Sequence, residues 1–364
     1  MLRTPLITAG SALLLGACAS APVAPPPAFD VQADPVAQSA QFITPVNAGD
    51  RGAGQQVALT ACNVVFGIKT GANAQTQAGM FESTSGRVDA KVSQVYLLEG
   101  VSDARMQAIT DRICARAGEQ LAAAGMQVMP HAKLAATPQY QALTEKGRAA
   151  PVEWSVGKAD YKVFAPSGWT VFDQRFDGTA RGIANIFGAA TRSNPASLES
   201  RLVHELGVNG VHLDILVDFA SLSSSDQQNK GMLSRLAGAD EASVETTLAL
   251  SVTGMLKLVT PEVINCHKLG CDTLEQRWPM YKSARPLVAT ETFYSELRDA
   301  ESTAGKVAEG VANVLGFLAA AAGGSGSSVS MSKWAVAADA DAYAAIAEQY
   351  ASGFVAMAAV AAQP

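Results

Sequence analysis

The strongest constraint on the fold is a regular alternation of apolar and polar residues over residues 211–219 and again over residues 246–259. A period of two is typical of a strand that buries one face and exposes the other. The register predicts that the buried side chains are Leu213, Ile215, Val217, Leu248, Leu250 and Val252. We expect the two strands to form the middle of a sheet that packs on helices. Because the second pattern is long, it is also compatible with a membrane β-hairpin.

Helix-like and strand-like segments follow one another along most of the remaining chain. A stripe of apolar residues at spacings of three and four begins after Ser102 or Asp103, and another begins after Asp339 or Asp341, so these residues are candidate N-caps. The other predicted elements are strands at 57–68, 88–98 and 126–129, helices at 132–143 and 198–206, and an aromatic hairpin at 161–172. This order predicts an α/β or α+β fold, with a mixed sheet flanked by helices and preceded by a disordered tether.

The amino terminus has the pattern of an export signal. Arg3 precedes a short apolar run at residues 6–15, and the sequence Leu15-Gly16-Ala17-Cys18 completes it. The run is about half the length that a membrane-spanning helix requires, and it suits a secretory signal peptide. We therefore expect residues 1–17 to be removed.

This segment resembles the lipobox of bacterial lipoproteins. The resemblance implies cleavage before Cys18, a diacylglyceryl thioether on that cysteine and an acylated amino terminus that carries palmitate. Ala19 and Ser20 lack the aspartate that resembles an inner-membrane retention signal. The resemblance therefore implies a lipid anchor in the outer membrane, facing the periplasm or the cell surface. The alternative is an ordinary signal peptide that is cut after Ala17 and leaves Cys18 free.

Residues 18–55 are rich in proline, alanine and glutamine, with few large apolar residues. Such a composition predicts a tether without a core, with an upper reach on the order of 100 Å and a coil average of about 35 Å. The alternative is a strap that packs locally on the domain through Phe29, Phe42 and Ile43. Residues 56–364 are then the folded domain, in which a sub-boundary could lie near residues 145–160.

Charge and hydropathy exclude some classes of partner. The net charge of −6 and the pI near 5.3 argue against binding to nucleic acid. Beyond the signal, the most apolar stretch is 310–324, and glycines and a polar residue interrupt it. The overlapping segment, 305–322, is rich in small residues and suits a closely packed or oligomeric helix, and a flexible surface segment explains it equally well. The expected partners are the membrane, through the lipid anchor, and envelope proteins or further copies of the chain.

Four cysteines remain after lipidation, an even number that suits an oxidising compartment. Cys266 and Cys271 lie close together in the sequence and predict a disulfide. Cys62 lies on a predicted strand and Cys114 beside the apolar stripe of a predicted helix. A second disulfide between them and two buried free thiols are both compatible with these positions.

His212, Asp214 and Asp218 lie on the polar side of the first alternating strand. They could serve an envelope enzyme as an acid–base pair, or a metal-binding protein as ligands. The simpler interpretation, which we adopt for the sequence, is a solvent-exposed face of a half-buried strand. The sequence has no nucleophile elbow, zincin helix, Walker loop or dinucleotide loop. We therefore expect no catalytic residue, no metal and no cofactor.

Three segments resemble the periplasmic domain of the curli-secretion-channel lipoproteins. They are residues 121–134, residues 204–211 and residues 334–339, which precede the C-terminal helix. The resemblance implies an envelope component for assembly, secretion or scaffolding that is not an enzyme and that forms rings. The alternatives are the envelope enzyme or metal-binding protein described above and a surface binding lipoprotein.

Overall fold

A computed structural model of the 364-residue chain describes residues 28–48, 56–75, 91–172, 195–226, 242–260, 265–267, 270–272, 278–300, 307–308 and 329–363. The predicted signal peptide, Cys18 and the small-residue segment 305–322 lie outside these residues, apart from a two-residue strand at Val307–Ala308.

Seventeen strands and six helices make up the described structure. The strands are β1 (Ile43–Val46), β2 (Gln56–Gln75), β3 (Lys91–Glu99), β4 (Gln127–Val128), β5 (Val152–Val156), β6 (Ala159–Phe164), β7 (Asn209–Asp218), β8 (Ser221–Asp226), β9 (Ala242–Thr247), β10 (Ser251–Val259), β11 (Asn265–His267), β12 (Gly270–Asp272), β13 (Met280–Ser283), β14 (Leu287–Val288), β15 (Tyr294–Asp299), β16 (Val307–Ala308) and β17 (Val329–Ala338). The helices are α1 (Pro35–Phe42), α2 (Asp103–Ala123), α3 (His131–Ala135), α4 (Pro138–Thr144), α5 (Pro195–Leu206) and α6 (Ala340–Ala361).

Thirteen of these strands form one sheet, whose main path is β1-β13-β10-β7-β2-β3-β17-β15-β16. The pairs β2–β7 and β3–β17 are parallel, whereas β7–β10 and β2–β3 are antiparallel. The sheet is therefore mixed, and the predicted fold of a mixed sheet flanked by helices is confirmed as α+β. The strands β7 and β10 are neighbours well inside the sheet, as the alternating patterns predicted.

Helices cover both faces of the sheet. On one face, α2 and α6 pack against Cys62, Val64, Phe66 and the predicted inward residues of β7. On the opposite face, α3, α4 and α5 pack against Ala58 and Ala61 of β2. Because both faces are covered, polar residues on the second face of β7 are enclosed as well.

The caps of the long helices agree with the sequence. Ser102 accepts a hydrogen bond from the backbone N–H of Arg105 at the start of α2, and Asp339 accepts bonds from the first turn of α6. Gly125 and Gly207 have positive φ after α2 and α5, where L side chains are disfavoured. These contacts explain why the helix boundaries could be predicted closely.

The predicted single strand at residues 246–259 is wrong. Residues up to Thr247 belong to β9, which pairs with β8 in a separate two-stranded sheet, and β10 begins only at Ser251. Between them, Leu250 is 1 % exposed and keeps its place in the core, while its carbonyl accepts a hydrogen bond from Ala289. The apolar spacing therefore continues through a point where the chain changes sheets.

The segment 132–143 is two short helices and not one. The first helix ends at Ala135, and Thr137 caps the second with an extended backbone, because Pro138 disfavours helical backbone at the residue before it. The predicted aromatic hairpin is also wrong in its pairing. The strand β6 pairs with β5 across Gly157, whereas Val171 exchanges backbone hydrogen bonds with Arg148. The strand β6 also pairs with β2, so residues 145–160 lead into the same sheet.

The predicted tether at residues 18–55 is wrong for residues 28–48, which we call the N-terminal strap. The strap forms α1 and β1, and β1 pairs with β13 at the edge of the sheet. Phe42 is 2 % exposed and Ile43 is 4 % exposed. Two adjacent large apolar side chains therefore give this part of the proline-rich segment enough burial to fold.

Among the described residues, α6 has the length and hydropathy of a membrane-spanning helix. It lies in the core, however, and both Tyr343 and Phe354 are 0 % exposed. A core position accounts for its apolar composition.

Candidate functional site

The most unusual feature of the interior is a group of six polar side chains beneath the α3–α5 layer. We call this group the buried polar cluster. Each of its members is at most 6 % exposed. The members are Thr60 and Asn63 of β2, Glu199 of α5, His212 and Asp214 of β7, and Lys257 of β10.

Strand pairing positions most of the buried polar cluster. In the sheet register, Asn63 lies opposite Asp214, and His212 lies opposite Lys257. Directly opposed residues project from the same face of a sheet, within contact distance of each other. The helix α5 then brings Glu199 over these strands from the covering layer.

A β-bulge at Thr60 supplies the remaining hydroxyl. Leu59 pairs with Val211 and Ala61 with His212, so Thr60 is an extra residue in β2. Its Oγ1 lies 3.0 Å from the Val211 carbonyl oxygen and 2.5 Å from Glu199 Oε1. The bulge therefore directs a hydroxyl group to the carboxylate of α5.

The imidazole of His212 lies at the centre of the buried polar cluster. Its Nδ1 is 3.1 Å from Glu199 Oε2 and 3.2 Å from Glu199 Oε1. On the other side of the ring, Nε2 is 3.8 Å from Asp214 Oδ1, and Asn63 donates to the same oxygen at 2.9 Å. The ring is thus held between two carboxylates, one of which also accepts from Asn63.

Opposing effects act on the pKa of Glu199. Burial alone would raise this pKa, but the charges of His212 and Lys257 and hydrogen bonds from His212 and Thr60 bring it below its ordinary value. The carboxylate is therefore held in its ionised form by groups of the buried polar cluster itself. Lys257 Nζ lies 5.0 Å from the ring centroid of Trp278, a distance at which a cation–π attraction contributes.

Aromatic side chains enclose the cluster. The ring of Phe172 meets His212 edge to face at a centroid distance of 5.5 Å. Burial, together with the charge of Glu199, raises the pKa of Tyr140 above its ordinary range. Tyr140 OH lies 3.2 Å from His131 Nε2, and burial lowers the pKa of His131.

The structure corrects the prediction of a solvent-exposed polar face. His212 is 2 % exposed and Asp214 is 6 % exposed, because α4 and α5 cover this side of the sheet. Asp218 does not join them, since it lies four residues beyond Asp214 along β7, or roughly 13 Å. Its Oδ1 accepts from the Phe219 backbone N–H, and burial raises its pKa.

The sequence contained a signal for Glu199 that the alternation of β7 did not reveal. Glu199 precedes Leu202 and Val203 by three and four residues, so it lies on the apolar stripe of α5. A carboxylate on such a stripe needs a buried partner. Lys257 lies on the polar side of the second alternating pattern, yet it is 4 % exposed.

Chemically, an imidazole oriented by a carboxylate is an arrangement that enzymes use for proton transfer. Here the other ring nitrogen faces Asn63 and Asp214, and every member of the cluster is buried. Within the described ranges, no group of three or more His, Cys, Asp or Glu side chains is arranged to hold a metal ion. The geometry therefore favours an internal ionic network that joins three strands to α5.

Cys62 and Cys114 form a disulfide that joins β2 to α2, with a Cα–Cα distance of 6.0 Å. Of the two alternatives for these residues, the structure contains the bonded form. The bridge closes a loop of 52 residues, which corresponds to about 4 kcal/mol in a chain-entropy account. In the hairpin of β11 and β12, Cys266 lies opposite Cys271 in the register. Their side chains lie outside the described part of the structure, so that disulfide stays a prediction.

No protein-family model, curated protein or solved structure matches this chain. A functional proposal must therefore come from its own residues.

Proposed function

We propose that the chain is an outer-membrane lipoprotein, anchored through Cys18, that acts in envelope assembly, secretion or scaffolding without catalysis. The lipobox-like sequence before Cys18 supports the anchor. Two or more acyl chains hold a protein on a bilayer stably, whereas one chain is marginal.

One observation supports a non-catalytic role above the others. His212 and Asp214, the acid–base candidates of the sequence, are both buried. Within the buried polar cluster, His212 Nε2 faces Asp214 Oδ1, and that oxygen accepts a hydrogen bond from Asn63. A substrate would have to displace α5 or the segment around Phe172 to reach them. We infer that these groups fix the relative positions of β2, β7, β10 and α5.

The Cys62–Cys114 disulfide supports a location outside the cytoplasm. Structural disulfides form and persist in the periplasm and at the cell surface and are rare in the bacterial cytoplasm. Both cysteines are less than 5 % exposed, so the bond is a core element.

The anchor is tested by Cys18→Ser, with Ser20→Ala as the matched control. We expect the Cys18 variant to be unprocessed or soluble, while the control stays in the membrane fraction after an alkaline wash. A Cys18→Ser protein that still resists the alkaline wash would show that the anchor is assigned wrongly.

The assembly role is tested by native mass measurement of detergent-extracted protein after cross-linking in cells. We expect either several copies of the chain or a defined complex with other envelope proteins. A strictly monomeric species that cross-links to nothing would contradict this role and leave the anchor unaffected.

A further inference from the structure

The N-terminal strap is attached to the folded body at its very first residues. The ring of Phe29 contacts Phe42 and Tyr350 edge to face, both at a centroid distance of 5.5 Å. Gly353 of α6 makes room for this ring, since a β-carbon there would lie 2.4 Å from the nearest ring atom. Phe29 is therefore seated on the C-terminal helix.

A second contact fixes the residue that follows. The side-chain amide of Gln38 donates to the Asp30 carbonyl oxygen at 2.8 Å, and its oxygen accepts from the Asp30 backbone N–H at 3.0 Å. Gln38 is 9 % exposed, so both bonds are largely shielded from water. This pair of bonds holds the chain at residue 30 as a neighbouring strand would.

The rest of the strap also contacts the folded body. The guanidinium of Arg285 lies 4.2 Å from the ring centroid of Phe42, and the Phe42 carbonyl accepts from Ala284 at 2.8 Å. The strand β1 then continues the edge of the sheet beside β13. Phe29 thus already belongs to the folded body, far earlier in the chain than composition suggested.

This attachment limits the distance between the body and the lipid. From Cys18 to Phe29 the chain has 29 − 18 = 11 residue steps. At about 3.3 to 3.6 Å per residue, even a fully extended chain spans at most about 40 Å. A flexible chain of this length averages about 18 Å end to end. These values replace the reach of about 100 Å that a tether extending to residue 55 would have.

We propose that the side of the domain formed by the strap and α6 around Phe29 is the membrane-proximal side, and that its partner is the lipid surface. This inference rests on the Cys18 anchor proposed above. The strap exposes the carboxylates of Asp30 and Asp34, which disfavour insertion among anionic headgroups. Because the chain to Cys18 is short and these charges oppose insertion, the side faces the bilayer across a short gap. The α3–α5 layer lies on the opposite face of the sheet and points away from the bilayer.

Energy transfer to an acceptor on the lipid headgroups tests the orientation. Donor dyes are attached to Val36→Cys on the strap and to Glu145→Cys just after α4, in lipidated protein reconstituted into vesicles. Val36 is 58 % exposed and Glu145 is also exposed, and protein without an added cysteine gives the labelling background. We expect higher transfer from residue 36 than from residue 145.

A spacer variant provides the second measurement. Inserting about twenty Gly/Ser residues between Pro27 and Ala28 lengthens the chain without touching the contacts of Phe29. We expect transfer from both positions to fall and the difference between them to shrink. Equal transfer in the unmodified protein, higher transfer from residue 145, or no effect of the spacer would each overturn the proposal.

Flotation of the same vesicles separates this inference from the anchor. If the unmodified protein floats with the vesicles and Cys18→Ser does not, the anchor stands and the transfer data decide the orientation. If the unmodified protein fails to float, the anchor is wrong and the orientation proposal fails with it.

Discussion

Replacing Glu199 by alanine removes the carboxylate that faces His212 Nδ1 and accepts from Thr60. The variant leaves the charges of the buried polar cluster without the group that lowers their energy in the core. Removing one partner of a buried pair costs about 3 to 5 kcal/mol of unfolding free energy. Glu199→Gln keeps the size and one acceptor, and we expect it to cost about 1 to 3 kcal/mol.

Urea unfolding of the purified domain measures these values, and Glu205→Gln is the matched control. Glu205 lies on the same helix but is exposed, so its replacement should change the free energy of unfolding by about 0.5 kcal/mol at most. At roughly 2 °C per kcal/mol, the alanine variant should melt about 6 to 10 °C lower than the parent. Equal losses at Glu199 and Glu205 would refute the view that the cluster stabilises the fold.

The stabilisation by Glu199 should also depend on pH in a defined direction. The pKa of Glu199 is lowered by folding from its ordinary value of 4.5, so its stabilising contribution is complete above that value. The contribution is lost as the pH falls through the lower pKa of the folded state. The stability difference between the parent and Glu199→Gln should therefore shrink below pH 4.5. A difference that grows on acidification would contradict the assignment.

Three further predictions concern Leu250 in the core, Asp218 at the end of β7, and the cysteine pair Cys266 and Cys271. Leu250→Ala should cost about 2 to 5 kcal/mol in urea unfolding through lost burial and a cavity, while Ser251→Ala should stay within about 0.5 kcal/mol. Because burial raises the pKa of Asp218, its ionised form disfavours the folded state at neutral pH. Asp218→Asn should therefore raise the melting temperature at pH 7 and lose this gain below 3.8, and a clear loss at pH 7 would count against it. Thiol labelling of denatured, unreduced protein should leave Cys266 and Cys271 unmodified, and quantitative labelling of either would exclude their disulfide.

Local sequence patterns predicted where the helices and strands lie more reliably than they predicted what packs around them. The period of two located β7 and most of β10, and the capping residues Ser102 and Asp339 located α2 and α6. Each of these signals is contained within a few residues. The change of sheet before Ser251 escaped prediction because the apolar spacing continues across it.

The candidate site depends on contacts between distant parts of the chain. The burial of His212 and Asp214 depends on α4 and α5, which cover this face of the sheet. No sequence pattern within β7 can show that these helices lie there. Thr60 reaches Glu199 only because of a bulge, and an extra residue in a strand leaves no mark in an otherwise apolar run. The N-terminal strap was only the alternative to a tether for a related reason: the composition around Phe29 and Phe42 is proline-rich, and the Tyr350 ring that Phe29 contacts lies far away in the sequence.

The strap also has a consequence for the order in which the molecule can be completed. Phe29 near the beginning of the chain rests on Tyr350 and Gly353 near its end, and β17 must enter between β3 and β15 before the sheet is continuous. Because a chain is synthesised from its amino terminus, the strap is synthesised well before the α6 surface on which Phe29 docks. Contacts between such distant segments are costly in loop entropy and form slowly. A chain that is truncated before α6 therefore lacks its last helix and, with it, the surface that seats Phe29.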